Sequence, residues 1–162
     1  MAEFAEIIGN TRAEKYKQLL IQAESLFQDF MHPVGAMAHL CACLKEYFHF
    51  FWVGYYIKQG DELIIGPYQG PPACLKIPFG KGVCGTAWKE NRTIIVPDVE
   101  KFPGHIACSS HSKSEIVVPL YDKQGNFYGV LDIDSDQVSN FNETDAYYLE
   151  KINKKLSAII NV

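Results

Sequence analysis

The chain has 162 residues, 48% of them hydrophobic and 21% charged, with a net charge of −4; this is the composition of a soluble globular protein long enough to bury a full core in one domain. Few basic clusters interrupt the acidic balance, which excludes a phosphate-tracking surface for nucleic acid. No run approaches the ~18 apolar residues of a membrane span, and Glu3 and Glu6 stand where a signal peptide is basic and then apolar, so the expected location is the cytoplasm, away from membranes.

From Thr11 to Phe30 the apolar residues Tyr16, Leu19, Leu20, Ala23, Leu26, Phe27 and Phe30 recur at spacings of three and four, which predicts an amphipathic helix. Thr11 and Glu14 read as its capping box. His32-Pro33 breaks the pattern, and Val34 to Tyr47 resumes it as a second helix. Phe50 to Ile57 and Glu62 to Tyr68, separated by Lys58-Gln59-Gly60-Asp61, predict a β-hairpin. Leu75 to Phe79 is a third strand, Gly82 to Glu90 a short helix opened by a glycine-rich turn, and Thr93 to Val96 a fourth strand. A loop without apolar period follows from Asp98 to about Ser114; connections of that length inside a compact domain are usually functional. Glu115 to Tyr121 and Phe127 to Ile133 form a second hairpin, and Asn142 or Thr144 caps a last helix with Tyr148, Leu149, Ile152, Leu156 and Ile159 on its apolar face.

This order predicts an α+β fold, a six-stranded antiparallel sheet with helices packed on it. The expected organisation is a single domain over 1–162, with N-terminal helices at 11–47, sheet and active-site loops at 50–134 and a C-terminal helix at 142–160.

The five cysteines are too few and too odd in number for a disulfide framework in a reducing compartment, so they point to packing, metal binding or redox chemistry. Cys41 and Cys43 lie in a helical run among Ala, Leu and Met and are expected to pack. Cys74, Cys84 and Cys108 stand beside Gly, Pro and Ser in loop-like or helix-start contexts that leave a thiol free to react. Cys84, in Gly80-Lys81-Gly82-Val83-Cys84-Gly85, has the field of a helix start to lower its pKa; equally, it fills a gap beneath a tight turn. Cys108 has His105 and His111 three residues to either side and is the best nucleophile candidate; the bland alternative is an incidental loop thiol. A zinc site built on Cys108, His105, His111 and a second cysteine ranks below thiol chemistry, because no C-x-x-C pair is present. No metal and no cofactor are expected.

Asp132 and Asp134 alternate with Leu131 and Ile133, so both carboxylates share one sheet face. Either they lie on a solvated strand end, or they join Glu115 of the preceding strand around a cation such as a substrate ammonium group. Trp52 and Tyr56 share a face of the first strand, and wall a sulfur-containing group or simply fill the core.

The chain resembles the free methionine-(R)-sulfoxide reductases of the GAF fold. Trp52-Val53-Gly54-Tyr55-Tyr56, Gly66-Pro67-Tyr68-Gln69-Gly70, Gly82-Val83-Cys84-Gly85, Val96-Pro97-Asp98-Val99, Phe102-Pro103-Gly104-His105-Ile106-Ala107-Cys108, Ser114-Glu115-Ile116-Val117-Val118-Pro119 and Gly129-Val130-Leu131-Asp132-Ile133-Asp134-Ser135 carry the likeness. The resemblance implies reduction of free methionine-(R)-sulfoxide, with Cys108 as attacking thiolate, Cys74 as favoured resolving partner and Cys84 as pocket residue or alternative resolver. It further implies Glu115, Asp132 and Asp134 as the substrate-binding carboxyl cluster, Trp52 and Tyr56 at the methylthio end, thioredoxin as reductant, and a possible homodimer. The rival expectations are a non-catalytic GAF small-molecule sensor and a redox switch without a substrate.

Overall fold

The structure, a computed structural model, describes residues 5–29 and 32–161. Within them lie helices α1 (Arg12–Asp29), α2 (Pro33–Phe48), α3 (Gly82–Glu90) and α4 (Glu143–Ser157). The strands are β1 (Trp52–Gln59), β2 (Glu62–Gln69), β3 (Lys76–Pro78), β4 (Ile94–Val96), β5 (Ser114–Tyr121) and β6 (Phe127–Ser135). Phe30, the expected last residue of the first helix, lies outside the described residues. The strands form one sheet in the order β3-β2-β1-β6-β5-β4 with every pairing antiparallel, the fold class that the sequence predicts. Helix α3 carries the chain from one edge of this sheet, at β3, to the other, at β4.

Two of the sequence boundaries move for physical reasons. Strand β1 runs on through Lys58 and Gln59 to a two-residue turn at Gly60-Asp61, because the tip of the hairpin stands in solvent and polar side chains extend it freely. Strand β6 continues past Ile133 to Ser135, held by pairing of Asp134 with both Glu115 and Trp52. That extension puts Asp134 within the strand, beside its neighbours, where a strand end would have left it in water.

Alternation along the strands separates two apolar clusters. Val53, Tyr55, Ile116, Val118, Leu131 and Ile133 face α1, α2 and α4 and pack with Leu19, Leu40, Leu44, Leu149 and Ile152 of those helices. Each such side chain removed from water contributes about 1.5–3 kcal/mol, so this face supplies the principal core. Cys41 and Cys43 are buried there; desolvation pushes the Cys43 thiol up to about 12 and Cys41 higher still, so both remain protonated packing residues. The opposite face carries Trp52, Tyr56, Val117 and Val130 against Val83 and Ala87 of α3.

Helix starts follow the expected chemistry. Thr11 Oγ1 accepts from the Glu14 backbone N–H and Glu14 accepts from that of Thr11, both at 3.2 Å. At α4 the cap is Asn142, whose side chain accepts from the Thr144 N–H at 2.9 Å while Asp145 accepts from the Asn142 N–H at 2.8 Å. Asp145 is fully buried and also accepts from the Tyr16 hydroxyl at 2.7 Å and the Arg12 guanidinium at 3.1 Å. One carboxylate thereby ties α1 to the start of α4. Asp145→Ala removes a capping interaction and two hydrogen bonds to a charged acceptor, and is expected to lower the free energy of unfolding by about 3 kcal/mol in urea titrations.

Candidate active site

The face opposite the main core is organised by strand register. Pairing sets Glu115 of β5 against Asp134 of β6 and Val117 against Asp132, while Trp52 and Gly54 of β1 lie opposite Asp134 and Asp132 on the other side of β6. Paired residues point to the same side of a sheet, so Glu115, Asp132, Asp134, Trp52 and Tyr56 share a surface. Glu115 and Asp132 are 5% and 6% exposed, and Asp134 is partly buried. The solvated strand-end alternative for the two aspartates is thereby removed.

Two aromatic residues then fix the loop that carries Cys74. The Trp52 indole lies flat between Gly54 and Gly70: a Cβ at Gly54 would come within 2.2 Å of the ring, and one at Gly70 within 2.5 Å. From there Trp52 Nε1 donates to the Pro71 carbonyl at 3.0 Å, and the Tyr56 hydroxyl donates to the Cys74 carbonyl at 2.9 Å. Trp52 stacks between Tyr56 and Tyr68, with ring centroids 5.9 and 5.4 Å away. Trp52 and Tyr56 wall the cavity and also anchor the 70–74 loop.

Across from it, the 98–113 segment folds over α3. Asp98 accepts from the Glu100 N–H at 3.1 Å and caps a short 3-10 turn, Val99–Lys101, that sequence periodicity did not reveal. The Val99 N–H donates to the Lys113 carbonyl at 2.9 Å and closes the base of the loop. Ile106 packs on Gly82, where a Cβ would sit 3.1 Å from it. Cys108 is thus brought to Cys74, and the two form a disulfide with Cα atoms 5.4 Å apart. Under this bridge lies a cavity of about 40 Å³ lined by Trp52, Tyr56, Cys84, Glu115, Asp132 and Asp134 among others; Cys108 lines it and Cys74 does not.

Cys84 differs from its two companions. It is 2% exposed and its thiol faces the carboxyl groups. Burial, and then the charges of Asp132, Glu115 and Asp134, push its pKa well up. The helix-start field that would have lowered it is overwhelmed by three acidic neighbours in a site that water does not screen. Cys84 is therefore a protonated thiol at the cavity floor. Its sulfur and one oxygen each of Glu115 and Asp132 lie within 4.8 Å of one another, close enough in principle to hold a cation.

The carboxyls perturb one another as well. Burial first, and then the nearest like charge, raises the pKa of Glu115 (beside Asp134), Asp132 (beside Glu115) and Asp134 (beside Asp132). Asp132 Oδ1 is buried with no hydrogen-bond partner. His105 lines the same cavity as Cys108 and points Nε2 at Glu115 Oε2, 3.4 Å away, and burial lowers its pKa. His111 lies against the Phe51 ring, centroids 5.9 Å apart. The contact of His105 with Glu115 spans distant parts of the sequence, and nothing in the local pattern announced it; Ser112, which hydrogen-bonds Asp134, was missed for the same reason.

Fold and site define the class. The GAF-domain profile matches residues 15–160, and the chain belongs to the GAF family. "GAF domain-containing protein A" of Dictyostelium discoideum is 55% identical over 157 residues, 96% of this chain and 99% of that protein. The "Free methionine-R-sulfoxide reductase" of Saccharomyces cerevisiae is 50% identical over 109 residues, 65% of this chain and 61% of its own. The crystal structure of free methionine-R-sulfoxide reductase from Neisseria meningitidis in complex with its substrate superposes with a TM-score of 0.93 at 46% identity, covering 97% of this chain and 95% of that one. Within the GAF family the chain belongs with the free methionine-R-sulfoxide reductases.

The raised carboxyl values have a stability consequence whose sign is fixed. Unfolded, these groups titrate near pH 4; folded, they hold their protons to higher pH, so their contribution is fully present below about pH 4 and is lost as pH rises through the folded values. Asp132→Asn removes one buried charge, and is expected to raise the melting temperature more at pH 8 than at pH 5 in differential scanning fluorimetry. An equal shift at both values would contradict the charge argument.

Proposed function

We propose that the protein reduces free methionine-(R)-sulfoxide to methionine at the cavity beneath the Cys74–Cys108 bridge. The observation that carries this reading is the bridge itself, set directly over a floor of three carboxyl groups. A redox-active pair and a receptor for an ammonium group are thus in one small space.

In the reduced protein the Cys108 thiolate attacks the sulfoxide sulfur. The oxygen takes up one proton and passes from the substrate sulfur to the Cys108 sulfur as the transient bond between the two sulfurs breaks, so methionine leaves and Cys108 becomes a sulfenic acid. The Cys74 thiol then attacks the Cys108 sulfur, releasing water and forming the disulfide. Proton delivery suits the carboxyl cluster, because a carboxyl with a raised pKa keeps its proton near neutrality and is a competent general acid. Its ionised members would hold the ammonium group, and Asp132 Oδ1, buried without a partner, is ready to accept from it. Trp52 and Tyr56 would face the methylthio end while holding the Cys74 loop in register. Cys84, protonated and buried, shapes the floor.

The cavity of about 40 Å³ is far below the ~300–1,000 Å³ of ordinary ligand pockets. The disulfide form is therefore closed to substrate, and reduction of the bridge would free the 102–112 loop to admit the next molecule. Because Cys108 lines the cavity and Cys74 does not, a protein dithiol would reach the Cys74 sulfur first and release Cys108 as the leaving thiolate. We take thioredoxin as that reductant and the cytoplasm as the compartment; among the described residues no helix is long and apolar enough to cross a membrane.

Cys108→Ser is expected to abolish sulfoxide consumption with any reductant, measured by loss of free methionine-(R)-sulfoxide; undiminished turnover would sink the proposal. Cys74→Ser should complete one turnover per chain and then stall with thioredoxin, leaving a sulfenic acid on Cys108 detectable by dimedone labelling and mass spectrometry. Glu115→Gln and Asp132→Asn should each lower kcat/KM by about 10²–10⁴, the range for loss of a general acid.

A further inference from the structure

The floor of the cavity adds to its carboxyl groups a thiol that a sulfoxide substrate does not require. A buried thiol, Cys84, stands with Glu115 and Asp132 so that one sulfur and two carboxylate oxygens lie within 4.8 Å of one another. An ammonium ion is served by oxygens alone; sulfur adds little to it. For a borderline-soft divalent cation the same three atoms are a first coordination shell. We propose that Cys84, Glu115 and Asp132 form a binding site for a zinc-class ion, and that this ion competes with the substrate's ammonium group for the two carboxylates.

Several independent observations support the assignment. Asp132 is 6% exposed, and although its carboxyl meets Glu115 and Cys84, its Oδ1 has no partner; a buried carboxylate oxygen left in that state is unusual because desolvation without compensation is costly. Zinc–sulfur and zinc–oxygen bonds of ~2.0–2.3 Å in tetrahedral geometry set donors about 3.5 Å apart, so the three atoms need only small side-chain rotations to close on an ion. His105 Nε2 lies 3.4 Å from Glu115 Oε2 but outside the three-donor cluster, so water would complete the shell.

Size and chemistry select the ion further. The cavity of about 40 Å³ exceeds the ~10–15 Å³ that one water requires, so the closed disulfide form has room for an ion and a water but not for an amino acid. Magnesium and calcium prefer all-oxygen shells and would leave the sulfur unused. On binding, Cys84 gives up its thiol proton as the metal–sulfur bond forms, and any protonated carboxyl among the ligands does the same, so uptake releases protons and weakens as pH falls. The competition rests on the substrate assignment made above; the ion site does not.

The experiment uses the oxidised protein, in which Cys74 and Cys108 are held in their bridge. Zinc chloride is titrated against a chromophoric chelator, and cobalt(II) chloride is used to read ligation. We expect one ion per chain and a thiolate-to-cobalt charge-transfer band. The band should persist in Cys41→Ala/Cys43→Ala, where Cys84 is the remaining free thiol, and vanish in Cys84→Ala, with zinc affinity falling by more than the ten- to hundredfold that loss of an outer-shell partner causes. Asp132→Asn should weaken zinc at least tenfold. A wild-type protein without the band, or one whose band survives in Cys84→Ala and is lost in Cys41→Ala/Cys43→Ala, overturns the site; the double variant keeps the test decisive if Cys84→Ala fails to fold. In Cys74→Ser/Cys108→Ser, where neither bridge cysteine can ligate, saturating free methionine-(R)-sulfoxide should weaken zinc at least tenfold. Undiminished zinc affinity with sulfoxide bound overturns the competition, whereas zinc binding with no sulfoxide binding in the same calorimeter counts against the substrate assignment and leaves the ion site standing.

Discussion

Three carboxyl groups forced onto one buried patch of a sheet are the constraint on which the rest of this site depends. Register makes them neighbours: Glu115 opposite Asp134, with Asp132 two residues along the same strand. Left ionised and unsolvated, such groups repel one another and forgo hydration, which is why their protons are held so tightly. A patch of this kind destabilises the protein that contains it. Its persistence at the floor of a cavity makes sense when a cationic ligand supplies the missing compensation, since strain of this sort is found where function uses it.

The same patch dictates the division of labour among the cysteines. A thiolate close to these carboxyls is disfavoured, so Cys84, buried in contact with them, keeps its proton despite its position at a helix start. In the reaction proposed above, the nucleophile therefore comes from elsewhere, on a segment that is not part of the acidic floor. Cys108 meets that requirement, because the 98–113 segment is stapled at its base by Val99 and Lys113 and carries the cysteine on the intervening loop. Cys74 sits on a loop of the opposite kind, pinned by side chains of β1 through its own backbone carbonyls. On the proposed roles, a resolver held through its loop's carbonyls would let the bridge form without the whole site having to rearrange.

The fold was largely legible in the chain, since it depends on periodicity. The two apolar runs Glu115 to Tyr121 and Phe127 to Ile133 around the polar turn Asp122 to Asn126 located the second hairpin, and the three-and-four spacing of Tyr16, Leu19 and Ala23 located the first helix. Residue types also marked the site, as Asp132 and Asp134 in an apolar strand are conspicuous anywhere. The sign of the Cys84 shift was not legible: a local rule, the helix-start field, competes there with carboxyls brought in from β5 and β6, and only the tertiary arrangement decides which is larger. His105 shows the same limit, for three residues of separation from Cys108 suggested a partner, while the loop turns the ring toward Glu115. Asp145 escaped notice because its ties to Arg12 and Tyr16 span most of the chain.

Trp52 shows how closely structural and chemical duties are joined in this face. Its ring can lie across the strand only because positions 54 and 70 are glycine, and lying there it both lines the cavity and hydrogen-bonds the loop that carries Cys74. A substitution that merely shortened the ring would therefore disturb ligand contact and disulfide geometry together. Tyr56 repeats the arrangement four residues further along the same face, with its hydroxyl on the Cys74 carbonyl. Because the bond runs to the backbone, the loop is held whichever oxidation state the Cys74 sulfur is in. The Cys74 sulfur is thus presented to the 98–113 segment by side chains of the sheet itself.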